Sequence, residues 1–256
     1  MTYPIHEKAA LGFDNASESY ERGRPEYPAA AVDFLIDKLS ITPGKTVVDV
    51  GAGTGKFTRL LRRTGARITA LEPVEGMRRK FSALFPDMET LEGSAEHIPM
   101  PDGSVDVLTV AQAFHWFRGE EALAEFHRVL RPGGGLGLIW NRRDESVDWV
   151  ARVSEIFERY EGDTPRYKSG VWKRPFAATR LFAPLRHTEF AFSQTGTIET
   201  VVDRVASVSF IAALPAETRA QVLEEVQALV LEHPATRDKT VIEIPYRTDL
   251  FITESI

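Results

Sequence analysis

Five short apolar runs alternate with amphipathic segments through the first 140 residues, and no other feature of the chain limits its fold so strongly. The runs are TVVDV (46–50), RITALE (67–72), METLEG (88–93), VDVLTVA (105–111) and GLGLIW (135–140). TVVDV is too short and too β-branched for a helix, and the others follow its pattern. Between them lie KFTRLLRRTG, VEGMRRKFSALF and EEALAEFHRVLRPGG, each with an apolar stripe and with Gly or Pro close to its end. A further amphipathic segment, AAAVDFLIDKL, comes first and is stopped by the turn residues Pro43 and Gly44. Alternation of this kind predicts a parallel sheet covered by helices on both faces.

The pattern changes after Trp140. A helix is expected over 149–160, an irregular stretch over 161–179, a strand over 185–192, helices over 197–213 and 215–232, and an alternating strand over 239–253. The expected fold is therefore α/β: a doubly wound, seven-stranded, mostly parallel sheet of Rossmann-like type. Its last strand should run antiparallel between the fifth and sixth, and helices 149–160 and 197–232 should form a lid. Residues 1–140 would be the ligand-binding core with an N-terminal arm, and 141–256 the remainder of the same domain.

Composition narrows the function. The chain has 256 residues, a length that suits a single domain with an elaborated lid. No cysteine is present, which excludes disulfides, zinc knuckles, iron–sulfur clusters and thiol nucleophiles together. A net charge of −6 argues against a generic nucleic-acid binder. The first residues lack the apolar core of a signal peptide, and no stretch approaches the ~18 apolar residues of a membrane span. A cytoplasmic protein without a membrane partner is expected, as monomer or homodimer.

The most informative residues are VVDVGAGTGKFT (47–58), which set Gly51, Gly53 and Gly55 between a strand and a helix. A nucleotide-like ligand over such a turn would meet backbone N–H groups at a helix N-terminus. A dinucleotide fingerprint needs Gly or Ala at 56, where Lys56 stands, and a P-loop needs Gly at 50 and a hydroxyl at 57, where Val50 and Phe57 stand. What remains is Asp49, then G-x-G-x-G, then Glu72 at the end of the next strand. An acidic residue in that place can accept hydrogen bonds from both hydroxyls of a ribose. Asp49 has an alternative role, bonding backbone amides of its own loop.

With these residues the chain resembles the class I S-adenosylmethionine-dependent methyltransferases, nearest in pattern to small-molecule enzymes of the ubiquinone-biosynthesis and trans-aconitate methyltransferase type. The resemblance spans most of the chain. It rests on VDVGAGTG, LEP (71–73), EGSAEHIPMPDGSVDV (92–107), AQAFHWF (111–117) and FHRVLRPGG (126–134), in that order. It implies S-adenosylmethionine as cofactor, with Glu72 on the ribose and Gly51 and Gly53 approaching the methionine moiety. Asp49, Ala52, Gly55, Pro73, Ala111 and Gln112 belong to the same implied cofactor site. Ser94, Ala95 and Glu96 would border the adenine, although the family usually has Asp where Ser94 stands. The segment SESYERGRPEYP (17–28) would fold over the cofactor with Tyr20 and Arg24 near the methionine end, or those two side chains would simply pin the arm.

Methyl transfer from a sulfonium needs alignment of an acceptor and exclusion of water. His115, beyond the fourth strand, is the candidate general base and a substrate-binding residue; its alternative role is to shape the pocket. A carboxylate acceptor is already ionised and would need no base. Trp116, Trp140, Asn141 and Arg142 are expected to line the acceptor site. The segment 163–187 carries Arg166, Lys168, Lys173, Arg174, Arg180 and Arg186 against Asp163 alone, which suits an anionic substrate, a nucleic-acid strand or a solvated face. A small-molecule, possibly acidic, acceptor leads. Competing readings are a nicotinamide oxidoreductase, disfavoured by Lys56, a catalytically silent cofactor-binding protein, and an RNA or protein methyltransferase. No Asn-Pro-Pro-Tyr-like motif follows the fourth strand to support base or amide methylation.

Overall fold

A computed structural model describes residues 23–256. Seven strands form one sheet in the order β3-β2-β1-β4-β5-β7-β6. They are β1 (Thr46–Val50), β2 (Arg67–Leu71), β3 (Glu89–Leu91), β4 (Val105–Ala111), β5 (Leu130–Arg143), β6 (Arg186–Gly196) and β7 (Ile242–Glu254). The first five pair in parallel, and β7 lies antiparallel between β5 and β6. This is the expected topology, mostly parallel and Rossmann-like. The strand order reverses between β1 and β4, so the crevice beyond their carboxyl ends is where such sheets take ligands.

The strands read as continuous apolar runs because both faces are covered. Val47, Val107 and Ile139 face one cluster with helices α1 (Ala29–Lys38) and α2 (Thr58–Leu61). Val48, Val50, Leu108, Val110, Leu136 and Leu138 face the other, against Ala122, Leu123, Phe126 and Val129. Those four belong to α4 (Gly119–Val129), while α3 (Glu75–Leu84) buries Met77 and Phe81. Gly55 is where that packing constrains the glycine loop. Its φ is +88°, and a Cβ there would stand 2.7 Å from the rings of both Phe81 and Phe85. Gly55→Ala is expected to cost about 2 kcal/mol or more in urea unfolding, from left-handed strain plus overpacking. A change under about 0.5 kcal/mol would show that the rings simply move aside.

A third cluster holds the second half together. It joins α5 (Asp148–Glu158), α7 (Ile198–Ala206), α8 (Ser209–Ala212) and α9 (Ala216–Glu232) to Ile242, Ile244 and Tyr246 of β7. A short α6 (Arg174–Ala178) lies within the irregular stretch. Two boundaries differ from expectation. β5 begins at Leu130, not 135, because the chain turns extended directly after α4 and pairs across an irregularity between Val105 and Val107. The single helix expected over 197–213 is two helices. Ser207 turns its hydroxyl back to the Arg204 carbonyl at 2.8 Å, and Val208 is extended. Among the described residues no helix is long and apolar enough to cross a membrane, and no cluster of His, Asp or Glu could hold a metal ion.

Candidate active site

The glycine loop sits at the carboxyl end of β1 with φ of +70° at Gly51 and +59° at Gly53. Its amides turn inward, against the expectation that a ligand would meet them. Gly51 and Ala52 donate to the Leu71 carbonyl at 2.8 and 3.1 Å, Gly53 to Glu72 Oε2 at 2.8 Å, and Gly55 to the Ala52 carbonyl at 3.0 Å. With those four donors committed, the loop is not a phosphate cradle. A Cβ on Gly53 would meet nothing within 4 Å, so the outer side of the loop is open. Gly51, Ala52, Gly53, Pro73, Ser94, Glu96, Ala111 and Gln112 are all partly exposed although the strands beside them are buried. A nucleoside without phosphates fits such a rim.

Glu72 is 5% exposed, and its Oε1 accepts the Val74 N–H at 2.9 Å while Oε2 holds Gly53. Burial raises its pKa, opposed by those hydrogen bonds and by Arg78. The carboxylate is thus fixed from behind against the open side of the loop. Asp49 bonds no loop amide. It is buried, and its two oxygens accept hydroxyls from Thr58 at 2.6 Å and Thr109 at 2.7 Å. Burial pushes its carboxyl up to about 6, with both threonines working against the shift. Ala95 is buried, Ser94 and His97 exchange backbone hydrogen bonds, and Glu96 accepts the Arg118 N–H at 2.8 Å. Tyr20 lies outside the described residues. Arg24 donates to Ser207 Oγ at 3.2 Å and to the Ser207 carbonyl at 3.0 Å, which ties the arm to the break between α7 and α8.

Beyond β4 and β5 a cavity of about 280 Å³ lies between the sheet and the lid, at the small end of ligand pockets. Gln112, with φ +60°, and the short turn Phe114–Trp116 line it from the sheet; Arg204, Val208, Ser209 and Phe210 line it from the lid helices. Six basic side chains, Arg24, Arg142, Arg143, Arg166, Lys168 and Arg204, face one carboxylate, Glu145. His115 Nδ1 accepts the Trp140 Nε1–H at 3.3 Å, so the neutral ring carries its proton on Nε2. Burial, then the Arg166 and Arg24 charges, push the His115 pKa down to about 3. The ring is therefore neutral at physiological pH and presents a donor.

The expected acceptor-site residues do reach this cavity, but several are occupied. Arg142 donates to Asp249 Oδ2 at 2.6 Å and also pairs with Glu189. Asn141 donates to the Glu26 carbonyl at 3.1 Å and accepts Thr248 at 2.6 Å. Trp140 is buried against Trp172 and Tyr167, with centroids 4.5 and 4.9 Å away, and Trp116 lies beside His115. In the basic segment only Arg166 and Lys168 line this cavity; Arg166 bonds Glu161 and Lys168 bonds Glu158 and Glu145. Arg143 and Arg204 were not expected. The signal for Arg204 is its place between Val201, Val205 and Val208, on the apolar face of α7.

Comparison with known proteins agrees with this geometry. A model described as a methyltransferase domain matches residues 48–138. An uncharacterized methyltransferase of Mycobacterium bovis is 39% identical over 239 residues, 93% of each chain. A malonyl-[acyl-carrier protein] O-methyltransferase of Serratia marcescens is 34% identical over 125 residues, 46% of this chain and 49% of that one. Among solved structures, a candidate type II methyltransferase from Anaeromyxobacter dehalogenans superposes with a TM-score of 0.66 at 24% identity, covering 90% of this chain and 96% of that one. That likeness speaks for the fold.

Proposed function

The chain belongs to the class I methyltransferases, and from that premise we propose that it moves a methyl group from S-adenosylmethionine to an acidic small molecule held in the cavity under the lid. The observation that carries the acceptor class is the six-to-one excess of basic over acidic side chains lining that cavity. In a chain of net charge −6 such a concentration of cations is a binding feature. The name of the Serratia relative gives that enzyme a malonyl group, which carries a carboxylate, as its O-methylation substrate.

When bound, S-adenosylmethionine supplies an electrophilic methyl on a cationic sulfur, which an acceptor lone pair takes as the carbon–sulfur bond breaks with its electrons left on sulfur. Glu72 would hold the ribose hydroxyls, and the open side of Gly53 would give the methionine portion close approach. Gln112 and His115 stand at the start of the acceptor cavity, where the His115 Nε2–H can orient an acceptor oxygen. The lid helices cover the cavity and keep water from it. No proton has to be moved when a carboxylate is methylated, and a ring with pKa about 3 is a poor base.

Two measurements test this. A methyl-labelled cofactor should transfer label to small carboxylic acids and not to phenols or amines alone. The turnover rate should be flat from about pH 6 to 9, and His115→Ala should lower it by about tenfold, the worth of one hydrogen bond. A loss of about 10² to 10⁴, together with disappearance of a titration near neutrality, would make His115 a general base and the acceptor a group that sheds a proton.

A further inference from the structure

Four polar atoms near the lid side of the cavity have no hydrogen-bond partner among the described residues: Arg143 Nη1, Arg204 Nε, Arg204 Nη1 and the Tyr246 hydroxyl. Arg204 is only 8% exposed. Arg143 projects from the end of β5 directly opposite Tyr246 in the β5–β7 pairing. It is held in place by a hydrogen bond to Ser154 Oγ at 3.2 Å and by Phe157, whose ring centre lies 4.3 Å from the guanidinium carbon. Burial, and next the charge of Arg204, lower the Arg143 pKa to about 9. Two guanidinium groups enclosed beside one another, with donors left over, are costly unless an anion joins them. The nearby carboxylate does not meet that need. Glu145 is engaged by Ser154 and Lys168.

Position separates this pair from the transfer end of the cavity. Gln112 Nε2 donates to the Asn141 carbonyl at 3.3 Å, and the methyl-transfer end lies there, because Ala113 packs against Gly51 of the cofactor loop. Arg143 is two residues further along β5, roughly 7 Å at the usual rise of a strand. A carboxylate gripped by two guanidinium forks also has its lone pairs occupied and its charge drawn off, which makes it the poorer nucleophile.

We propose that Arg143 and Arg204 form an anchoring subsite for a second carboxylate of the acceptor, one that is bound but not methylated. The substrate class is then a small di- or polycarboxylate, taken as one end held by the arginine pair and the other presented beside His115. This rests on reading the cavity as the acceptor site. It also accounts for the occupied state of Arg142, whose charge is already spent on Asp249 and Glu189.

The test uses the full chain and reads binding before activity. Succinate and glutarate, compared with butyrate and valerate, are titrated calorimetrically into wild type and Arg204→Met, with and without S-adenosylhomocysteine. Wild type should bind the dicarboxylates at least about tenfold more tightly than the monocarboxylates, and Arg204→Met should lose that preference. The variant without ligand should melt no lower than wild type, since it removes an unpartnered buried cation. In labelled-methyl assays its KM for a dicarboxylate should rise at least about tenfold with kcat nearly unchanged. An equal dicarboxylate preference in wild type and variant, or inorganic phosphate binding as tightly as any dicarboxylate, would overturn the proposal. So would a large fall in the melting temperature of the unliganded variant, which would make Arg204 structural. If instead the dicarboxylates bind as expected but S-adenosylmethionine does not stabilise wild type, the methyl-transfer reading fails and the anchoring subsite stands.

Discussion

Glu72→Ala is expected to abolish most of the thermal stabilisation that S-adenosylmethionine gives the protein. At about 100 times its dissociation constant the cofactor should stabilise wild type by about 2.7 kcal/mol, and NAD should do nothing. Glu72 would accept two ribose hydroxyls, and charge-assisted hydrogen bonds are worth about 1.5–3 kcal/mol each, so the variant should bind at least about 100-fold more weakly. At the same cofactor concentration the gain then falls to about 0.4 kcal/mol. The carboxylate is effective because Gly53 and Val74 hold it from behind, which leaves its orientation preset. Those two amides lose their acceptor in the variant, so its unliganded melting temperature serves as the reference. Equal stabilisation of variant and wild type by the cofactor would remove Glu72 from the site.

The sheet was legible in the sequence because each strand is buried on both faces and so stands out as a short β-branched run. β4 matches its expected bounds, Val105–Ala111, and β7 lies antiparallel between β5 and β6 as its alternating pattern suggested. Local chemistry misled at two places. The LRPGG stretch looks like a helix ending, yet Leu130 already pairs with Val105 as the first residue of β5. The break at Ser207 is set by a side chain folding back on Arg204 and by Arg24 arriving from a distant part of the chain. Neither partner is marked by sequence spacing.

The two halves of the site differ in the same way. On the cofactor side, function is written in backbone conformation, and glycines at left-handed positions next to an acidic strand end reveal it. On the acceptor side it depends on long-range register. Arg142 and Arg143 point to opposite faces of β5, and which of them finds carboxylates is decided by pairing with Arg247 and Tyr246 of β7, about a hundred residues away. His115 shows the same dependence. Its residue type suggests a base, but the Trp140 N–H and the charges of Arg24 and Arg166 make it a neutral donor.

Asp49→Asn is expected to stabilise the protein at neutral pH. The folded pKa of about 6 lies above the usual aspartate value of 3.8, because the carboxylate is buried with only two hydroxyls for company. A carboxyl whose folded pKa is raised contributes most below the unfolded pKa, and that contribution is lost as pH rises through the folded value. Near pH 7.5 the buried charge therefore costs up to about 3 kcal/mol, from roughly two pKa units at 1.36 kcal/mol each. Asparagine is neutral throughout and can keep both threonines, accepting from one and donating to the other after that hydroxyl turns. Urea unfolding should show the variant ahead by about 1–3 kcal/mol near pH 7.5, with the difference vanishing near pH 4. A difference that does not change with pH would remove the buried charge as its cause. The protein keeps this charge directly beneath a loop that, in the proposed function, lies under a cationic cofactor, where it also raises the pKa of Glu72. The variant should accordingly bind the sulfonium S-adenosylmethionine less well while its affinity for uncharged-sulfur S-adenosylhomocysteine changes by a smaller factor. Equal losses for the two ligands would mean that Asp49 acts only by holding Thr58 and Thr109 in place.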